Sequence, residues 1–450
     1  MATIAASAPQ SSMRRVALTA LAGTSIEWFD FFLYATAAAL VFPTVFFAKD
    51  MPPFVSLIAS FSTFAVGFLA RPIGGIVFGH FGDRLGRKKA LVTALMMMGV
   101  ATTLIGCLPP YSAIGAVAPA LLVVLRFVQG LAVGGQWGGA MLLVTENAPP
   151  GKRGFYGAFA QAGAPVGLIL ANLAFLTVTA SVSQEEFMAW GWRIPFIASI
   201  ALIALSLYVQ LRLEDTPAFR ELQARLQEAR ASSSDSGVEQ MITRRSPVLE
   251  ALATYPKQIA LAAGAFLGVQ VTFYILITFV IAYASNPSGL GLPRTTLLTA
   301  VLISSVVQIP ALFIASIYSD RHGRRGIYML GALLLGVWGF ILFPLVDTGS
   351  FLLITLAVCV GQVIIGMMYG PQAAFLAEMF STQVRYSGAS LGYQLGAILG
   401  GGMAPIIATV ILAAYGSTVG ISIYIAIACA LTLLSVFLLE ENHQRNLQDP

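Results

Sequence analysis

Gly82-Asp83-Arg84-Leu85-Gly86-Arg87-Lys88 is a short polar stretch between two long apolar ones, and Ser319-Asp320-Arg321-His322-Gly323-Arg324-Arg325 repeats its pattern in the second half of the chain. Asp320 lies 237 residues after Asp83. A second pair agrees: Glu146 with Arg153 is echoed by Glu378 with Arg385, and Glu378 lies 232 residues after Glu146. Two near-equal offsets imply one internal duplication and two related halves.

Around these stretches the chain is apolar. Its 450 residues are 57% hydrophobic and only 10% charged, against roughly 25% charged in soluble domains. Most of it therefore belongs in lipid. A span needs about 20 mainly apolar residues, and such runs are predicted at 16–42, 54–80, 90–108, 116–144, 155–180, 191–211, 257–284, 295–318, 327–346, 351–377, 386–412 and 417–439. With the amino terminus inside, 20 of the 25 Lys and Arg residues fall on tails and inner loops. Lys49, Arg193 and Arg294 fall outside, and Arg71 and Arg126 within spans. The positive-inside rule then puts both termini in the cytoplasm, and the expected location is the inner (cytoplasmic) membrane.

The fold expected is an all-α membrane protein, twelve transmembrane helices in two pseudo-symmetric six-helix bundles. Its parts are a tail (1–15), a bundle (16–211), a cytoplasmic linker (212–256), a second bundle (257–439) and a tail (440–450). In the linker, Phe219, Leu222 and Leu226 share one helical face and Glu221 pairs with Arg225 at i,i+4, which predicts a surface helix before the flexible SSSDSG. The apolar run after Arg14 and Arg15 contains Glu27 and Asp30 and lacks a small-residue cleavage site, so it reads as a retained first helix.

Composition also excludes functions. Cys107, Cys359 and Cys429 all lie in apolar stretches and suit neither a disulfide framework nor zinc. Without a convergent Cys/His set no metal site and no catalytic residues are expected, and no GxxxxGK[ST] run offers a nucleotide site for a pump. The formal charge of +5 is explained by topology, so no nucleic-acid partner is expected.

Ionisable groups at membrane depth are costly and mark function. Spans seven to twelve hold none in their interiors, whereas spans one to six hold Glu27, Asp30, Arg71 and Arg126. At 1.5 Å rise per residue, Glu27 and Asp30 lie roughly 17 and 21 Å from the start of their helix, and Arg71 and Arg126 about 13 and 15 Å from the nearer ends of theirs. All four share mid-membrane depth. Glu27, Asp30 and Tyr34 follow one helix face. The four charges either form permanent buried pairs or leave an arginine for a substrate carboxylate, which a guanidinium matches bidentately. A carboxylate released from its arginine then becomes a proton acceptor. Asp30 is the first candidate for proton coupling, with Glu27 in reserve. Gln129, Gln136, Gln270, Tyr274, Tyr369 and Gln394 are uncharged polar residues within spans and serve either the cavity or interhelical hydrogen bonds.

GHFGDRLGRKK (Gly79 to Lys89) resembles the signature loop of the major facilitator superfamily, and the resemblance covers essentially the whole chain. Arg126-Phe127-Val128-Gln129-Gly130 is similar to that superfamily's RxxQG element, which implies a part for Arg126 in proton coupling. Glu27-Trp28-Phe29-Asp30-Phe31, Arg71-Pro72-Ile73-Gly74-Gly75, GGQWGG (Gly134 to Gly139) and Gly191-Trp192-Arg193-Ile194-Pro195-Phe196 resemble the metabolite:proton symporters, nearest to their shikimate-type branch. That family commonly has an acidic residue where this chain has Gln136, so coupling here must rest on other residues.

The resemblance implies proton-coupled uptake of a small organic acid by alternating access, with the proton as coupling ion, no cofactor, and a monomer in contact with lipid. Uptake of a zwitterion such as proline or betaine, an exporter running proton antiport, and a substrate-sensing receptor with a transporter fold are the alternatives. Trp137 either packs between small residues or stacks on the ligand. Arg193 either anchors the outer interface beside Trp190 and Trp192 or, by resemblance, meets the substrate. Asp83, Arg84, Arg87, Glu146 and Arg153, with their counterparts Asp320, Arg321, Glu378 and Arg385, are the candidate gate.

Overall fold

In lipid a single chain segment can satisfy its own backbone only as a helix, and among the described residues no strand occurs. The computed structural model describes residues 10–85, 87–134, 141, 144–145, 148–149, 151–212, 253–380, 385–439 and 441. Among them twelve long helical segments follow one another. The first six are α1 (Gln10–Leu40), α2 (Pro53–Leu85), α3 (Arg87–Cys107), α4 (Val117–Gly134), α5 (Arg153–Ser181) and α6 (Arg193–Arg212). The second six are α7 (Pro256–Ser285), α8 (Arg294–His322), α9 (Arg325–Asp347), α10 (Phe351–Met379), α11 (Arg385–Gly396, continuing to Ala404–Tyr415) and α12 (Val419–Leu438). Two π-helical turns, Ile275–Phe279 in α7 and Ala397–Gly402 in α11, interrupt their regular winding.

Ten of the twelve are long and apolar enough to cross a membrane; the other two are α3, apolar from Val92 to Cys107, and the 20-residue α6. Most begin and end within a few residues of their predicted spans; α1 begins at Gln10 against a predicted 16, α4 is described to Gly134 where its predicted span runs on to 144, and the signature segment is itself largely helical. α2 carries Pro72 and several glycines and still runs on to Leu85. In the second half α8 runs to His322 and stops at Gly323, whose φ of 92° suits glycine. The amphipathic helix expected in the linker lies outside the described residues.

The halves repeat in three dimensions. In the first, α1 packs on α5, α2 on α4 and α3 on α6; in the second, α7 packs on α11, α8 on α10 and α9 on α12. The pairs come close because small residues meet. A side chain on Gly134 would run into the Arg71 carbonyl, and one on Gly74 into the Leu131 carbonyl, so α2 and α4 cross backbone to backbone. Between halves, α5 lies along α8 and α2 along α11. The outward faces carry exposed Leu69, Ile73 and Ile76 on α2, Leu330, Leu333 and Val337 on α9, and Ile427, Leu431 and Leu434 on α12. An apolar belt of this extent is solvated by lipid.

Gly134→Val is expected to lower the thermal unfolding midpoint of the detergent-purified protein by several degrees, because overpacking a tight contact costs about 1–3 kcal/mol. Gly326→Val, at a helical glycine with open space around it, should leave the midpoint unchanged. Equal midpoints for both variants would show that the α2–α4 crossing tolerates separation.

Candidate functional site

The glycine crossing of α2 and α4 sets Arg71 and Arg126 side by side in the middle of the first bundle. Gly67 makes room for them: a side chain there would overlap the Arg126 guanidinium. Phe31 of α1 serves both cations, its ring centroid 4.4 Å from the Cζ of each. Arg71 also faces Phe68 at 4.6 Å, and Arg126 faces Tyr34 at 4.1 Å and Phe64 at 4.9 Å. Aromatic faces attract a cation, but they do not replace its hydrogen bonds. Both guanidiniums are buried, and Nε and Nη2 of each have no hydrogen-bond partner. Four unpartnered N–H-bearing nitrogens on two buried cations can donate to an anion.

The two carboxylates expected beside them are there. Glu27, half-buried, lines a small cavity with Trp28, Phe31, Arg71, Val133 and Gln394. Asp30, 1% exposed, lines a neighbouring one with Phe31, Met98, Arg126, Gln129 and Val133. The permanent Asp30–arginine pair weighed from the sequence is not formed: among the described residues Asp30 makes no ion pair. Its Oδ2 lies 3.3 Å from the Thr102 hydroxyl, and its Oδ1 has no partner. Arg126 Nη1 instead donates to Gln129 Oε1 at 3.2 Å.

The second bundle contributes uncharged groups. Tyr274 packs its ring edge-on against Phe31 and Phe68, and its hydroxyl is buried without a partner. Tyr393 hydrogen-bonds the side chains of Arg71 and Gln270. Gln394 reaches the Glu27 cavity, and Tyr369, buried, lies within electrostatic reach of Tyr274, Tyr393 and Arg71. Charge comes from one half and neutral polarity from the other.

Not every candidate sits here. Tyr34 turns its ring to Arg126 while its hydroxyl donates to Thr63 at 2.6 Å. Arg193 lies far from the centre. It donates to the carbonyls of Gly106 (2.9 Å) and Leu108 (2.6 Å) at the end of α3 and covers Trp192, as a cation at a helix carboxyl end does. Gln136, Trp137 and Glu146, and the side chains of Asp83, Arg84, Arg87 and Arg385, lie outside the described residues.

At the end of the bundle that carries the signature loops, the second copy builds a lock between halves. Arg324 grips Glu378 with two parallel bonds, Nε to Oε2 at 2.8 Å and Nη2 to Oε1 at 2.9 Å, and its Nη1 reaches Asp320 at 3.0 Å. Burial works against the charge on Arg324, but Glu378 and Asp320 outweigh it and hold the guanidinium above its ordinary pKa. Arg153, from the other half, approaches Glu378 at 3.9 Å. Asp320 accepts the backbone N–H groups of Gly154 and Phe155, both at 2.8 Å, and so caps the amino end of α5 across the interface. Arg321, a candidate, is exposed and takes no part in this cluster. Arg324 does the work and was missed, although the signal was present: it stands 237 residues after Arg87. At the opposite end Arg294 donates to Met188 Sδ at 3.3 Å and covers Phe187, again across the halves. Contacts thus join the bundles at both ends of the central cavities.

The family described as sugar (and other) transporter matches residues 16–449. The inner membrane metabolite transport protein YhjE of Escherichia coli is 40% identical over 445 residues, 98% of this chain and 97% of that protein. The shikimate transporter of the same organism is 37% identical over 443 residues, 96% of each chain. In shape, the partially occluded inward-open xylose transporter XylE from E. coli superposes with a TM-score of 0.73 at 18% identity, over 97% of this chain and all of that one.

Proposed function

We propose that this chain, which belongs to the sugar (and other) transporter family and is a multi-pass membrane transporter of the major facilitator fold and not an enzyme, carries a small organic acid inward together with protons. The observation that carries the reading is the pair of buried guanidiniums on Phe31, each with Nε and Nη2 unpartnered. A carboxylate of the solute binds there. Tyr274, Gln270, Tyr369 and Gln394 of the second half meet its hydroxyl groups, so an acid of the shikimate type, one carboxylate on a hydroxylated ring, suits the division of charge. The relative named a shikimate transporter lends support.

Asp30 takes the coupling proton, with Glu27 as the second carboxylate of the site. No resident metal or cofactor enters the mechanism, and one chain acts as a monomer in the inner membrane with both termini in the cytoplasm. The signature-loop end then faces the cytoplasm. Release inward requires the Asp320–α5 and Arg153–Glu378 contacts, which cross between the halves, to part, and entry requires the Arg294–Met188 contact to part, so the two halves rock about the central cations.

The test is uptake of labelled shikimate, with a panel of other acids and zwitterions, into proteoliposomes with and without an inward pH gradient. Arg71→Lys keeps the charge and loses the fork, and is expected to weaken binding of the acid by about 1.5–3 kcal/mol, the worth of a charged hydrogen bond. Dissociation constants for the acid and its uncharged amide, on folded wild type and variant, check this. Equal binding of acid and amide by wild type would sink the organic-anion reading.

A further inference from the structure

Asp30 and Arg126 line one cavity, but the path between them runs through two neutral side chains. Arg126 Nη1 donates to Gln129 Oε1 at 3.2 Å, Gln129 Nε2 donates to Thr102 Oγ1 at 2.7 Å, and Thr102 Oγ1 lies 3.3 Å from Asp30 Oδ2. All four side chains are at most 3% exposed, so water does not compete for these bonds.

Chemistry fixes the direction of the chain. A guanidinium only donates, so the amide oxygen of Gln129 must face Arg126, and its NH2 must face Thr102. Thr102 Oγ1 therefore accepts on that side. Its single hydrogen has two acceptors within reach, the Met98 carbonyl at 2.8 Å and Asp30 Oδ2. When Asp30 is ionised the hydrogen belongs to Asp30. When Asp30 carries a proton, the carboxyl donates to Oγ1 and the threonine hydrogen turns to Met98. The hydroxyl thus has two orientations, set on one side by Asp30 and steadied on the other by the amide that Arg126 holds.

We infer that Thr102, steadied by Gln129, is the positioning residue that couples carboxylate binding at Arg126 to protonation of Asp30; this rests on the proton-coupled reading above. A solute carboxylate that draws Arg126 Nη1 away from Gln129 frees the amide to turn, and the hydroxyl loses the donor that fixes it. What Asp30 meets then changes with the occupancy of Arg126. By linkage, protonation of Asp30 changes the affinity of the solute by the same factor. The other charged or titratable groups around this chain of bonds are Glu27 on α1, Arg71 on α2, and Tyr34 and Tyr274, which face the guanidiniums. The membrane part of α3 brings only uncharged side chains.

The experiment uses the full chain in proteoliposomes with labelled shikimate as probe. Thr102→Val keeps the size of the side chain and removes the hydroxyl. It is expected to exchange shikimate across the membrane at a rate within about threefold of wild type, while accumulation driven by a pH gradient falls about tenfold, within the usual range of such couplings. The apparent affinity should also cease to vary with pH. Thr102→Ser restores the hydroxyl and should restore both, which a merely structural role for the methyl group would not do; Thr102→Ala replaces valine if the valine variant does not fold. A wild type indifferent to the pH gradient overturns the proton-coupled reading and the inference with it. A wild type and Thr102→Val that respond alike, or a Thr102→Ser no better than valine, overturn the inference alone.

Discussion

Asp30→Asn is expected to abolish accumulation of solute against its gradient while leaving exchange of solute across the membrane intact. Asparagine matches aspartate in shape and can still meet the Thr102 hydroxyl, now 3.3 Å from Oδ2, but it cannot take up a proton. The size of the effect follows from the driving force: one pH unit is worth 1.36 kcal/mol, so each coupled proton supports about tenfold accumulation per unit of gradient. The asparagine variant should equilibrate solute at a ratio near one under the same gradient. Proteoliposomes preloaded with unlabelled solute supply the exchange control, and an imposed gradient supplies the test. A variant that still concentrates solute would move the coupling role to Glu27, to be examined by Glu27→Gln under the same two conditions.

Glu378→Ala should have the largest effect on stability. Glu378 is 1% exposed and is the acceptor for two bonds from Arg324, itself 1% exposed, with Arg153 also near. Removing Glu378 leaves a buried guanidinium with Asp320 as its remaining carboxylate, a loss of about 3 kcal/mol, the lower end for a broken buried pair. Replacing both, as Glu378→Ala with Arg324→Leu, removes the half-paired guanidinium and should recover part of the loss, since Asp320 keeps its two backbone donors. Thermal unfolding of the purified single and double variants measures it. A single variant as stable as wild type would mean that the buried pair adds nothing to the stability of the second half.

The spans were legible because lipid demands about 20 apolar residues for each crossing, and the charged exceptions at depth stood out against that background. Glu27, Asp30, Arg71 and Arg126 were found in this way, and the structure gathers them around Phe31. Phe31 itself gave no signal, since one more phenylalanine in an apolar helix reads as packing. Thr102 was equally silent: a threonine in a span ordinarily bonds its own helix, as it does to the Met98 carbonyl, and only the tertiary fold brings Gln129 and Asp30 to it. Arg321 and Arg324 could not be separated by composition, because both are basic and lie in one polar stretch. The chain reversal at Gly323 separates them, leaving Arg321 in solvent and turning Arg324 into the interface. The place of Arg193 depended on where α3 ends, which fixes the carbonyls that it reaches.

The cap that Asp320 places on α5 joins a side chain of the second half to the main chain of the first. What the first half offers Asp320 is main chain, the N–H groups of Gly154 and Phe155, and no substitution short of proline removes a backbone donor. Among the described residues, Arg153 is the side chain that half adds to the cluster, at the longer distance of 3.9 Å. Among the described residues, heritable loosening of this cap therefore has its target in the second half at Asp320, which Arg324 holds in place. In the first half the constraint falls on Gly154, where any side chain would collide with Arg324 and Asp320. One contact is thus guarded by a side chain on one side and by the want of one on the other.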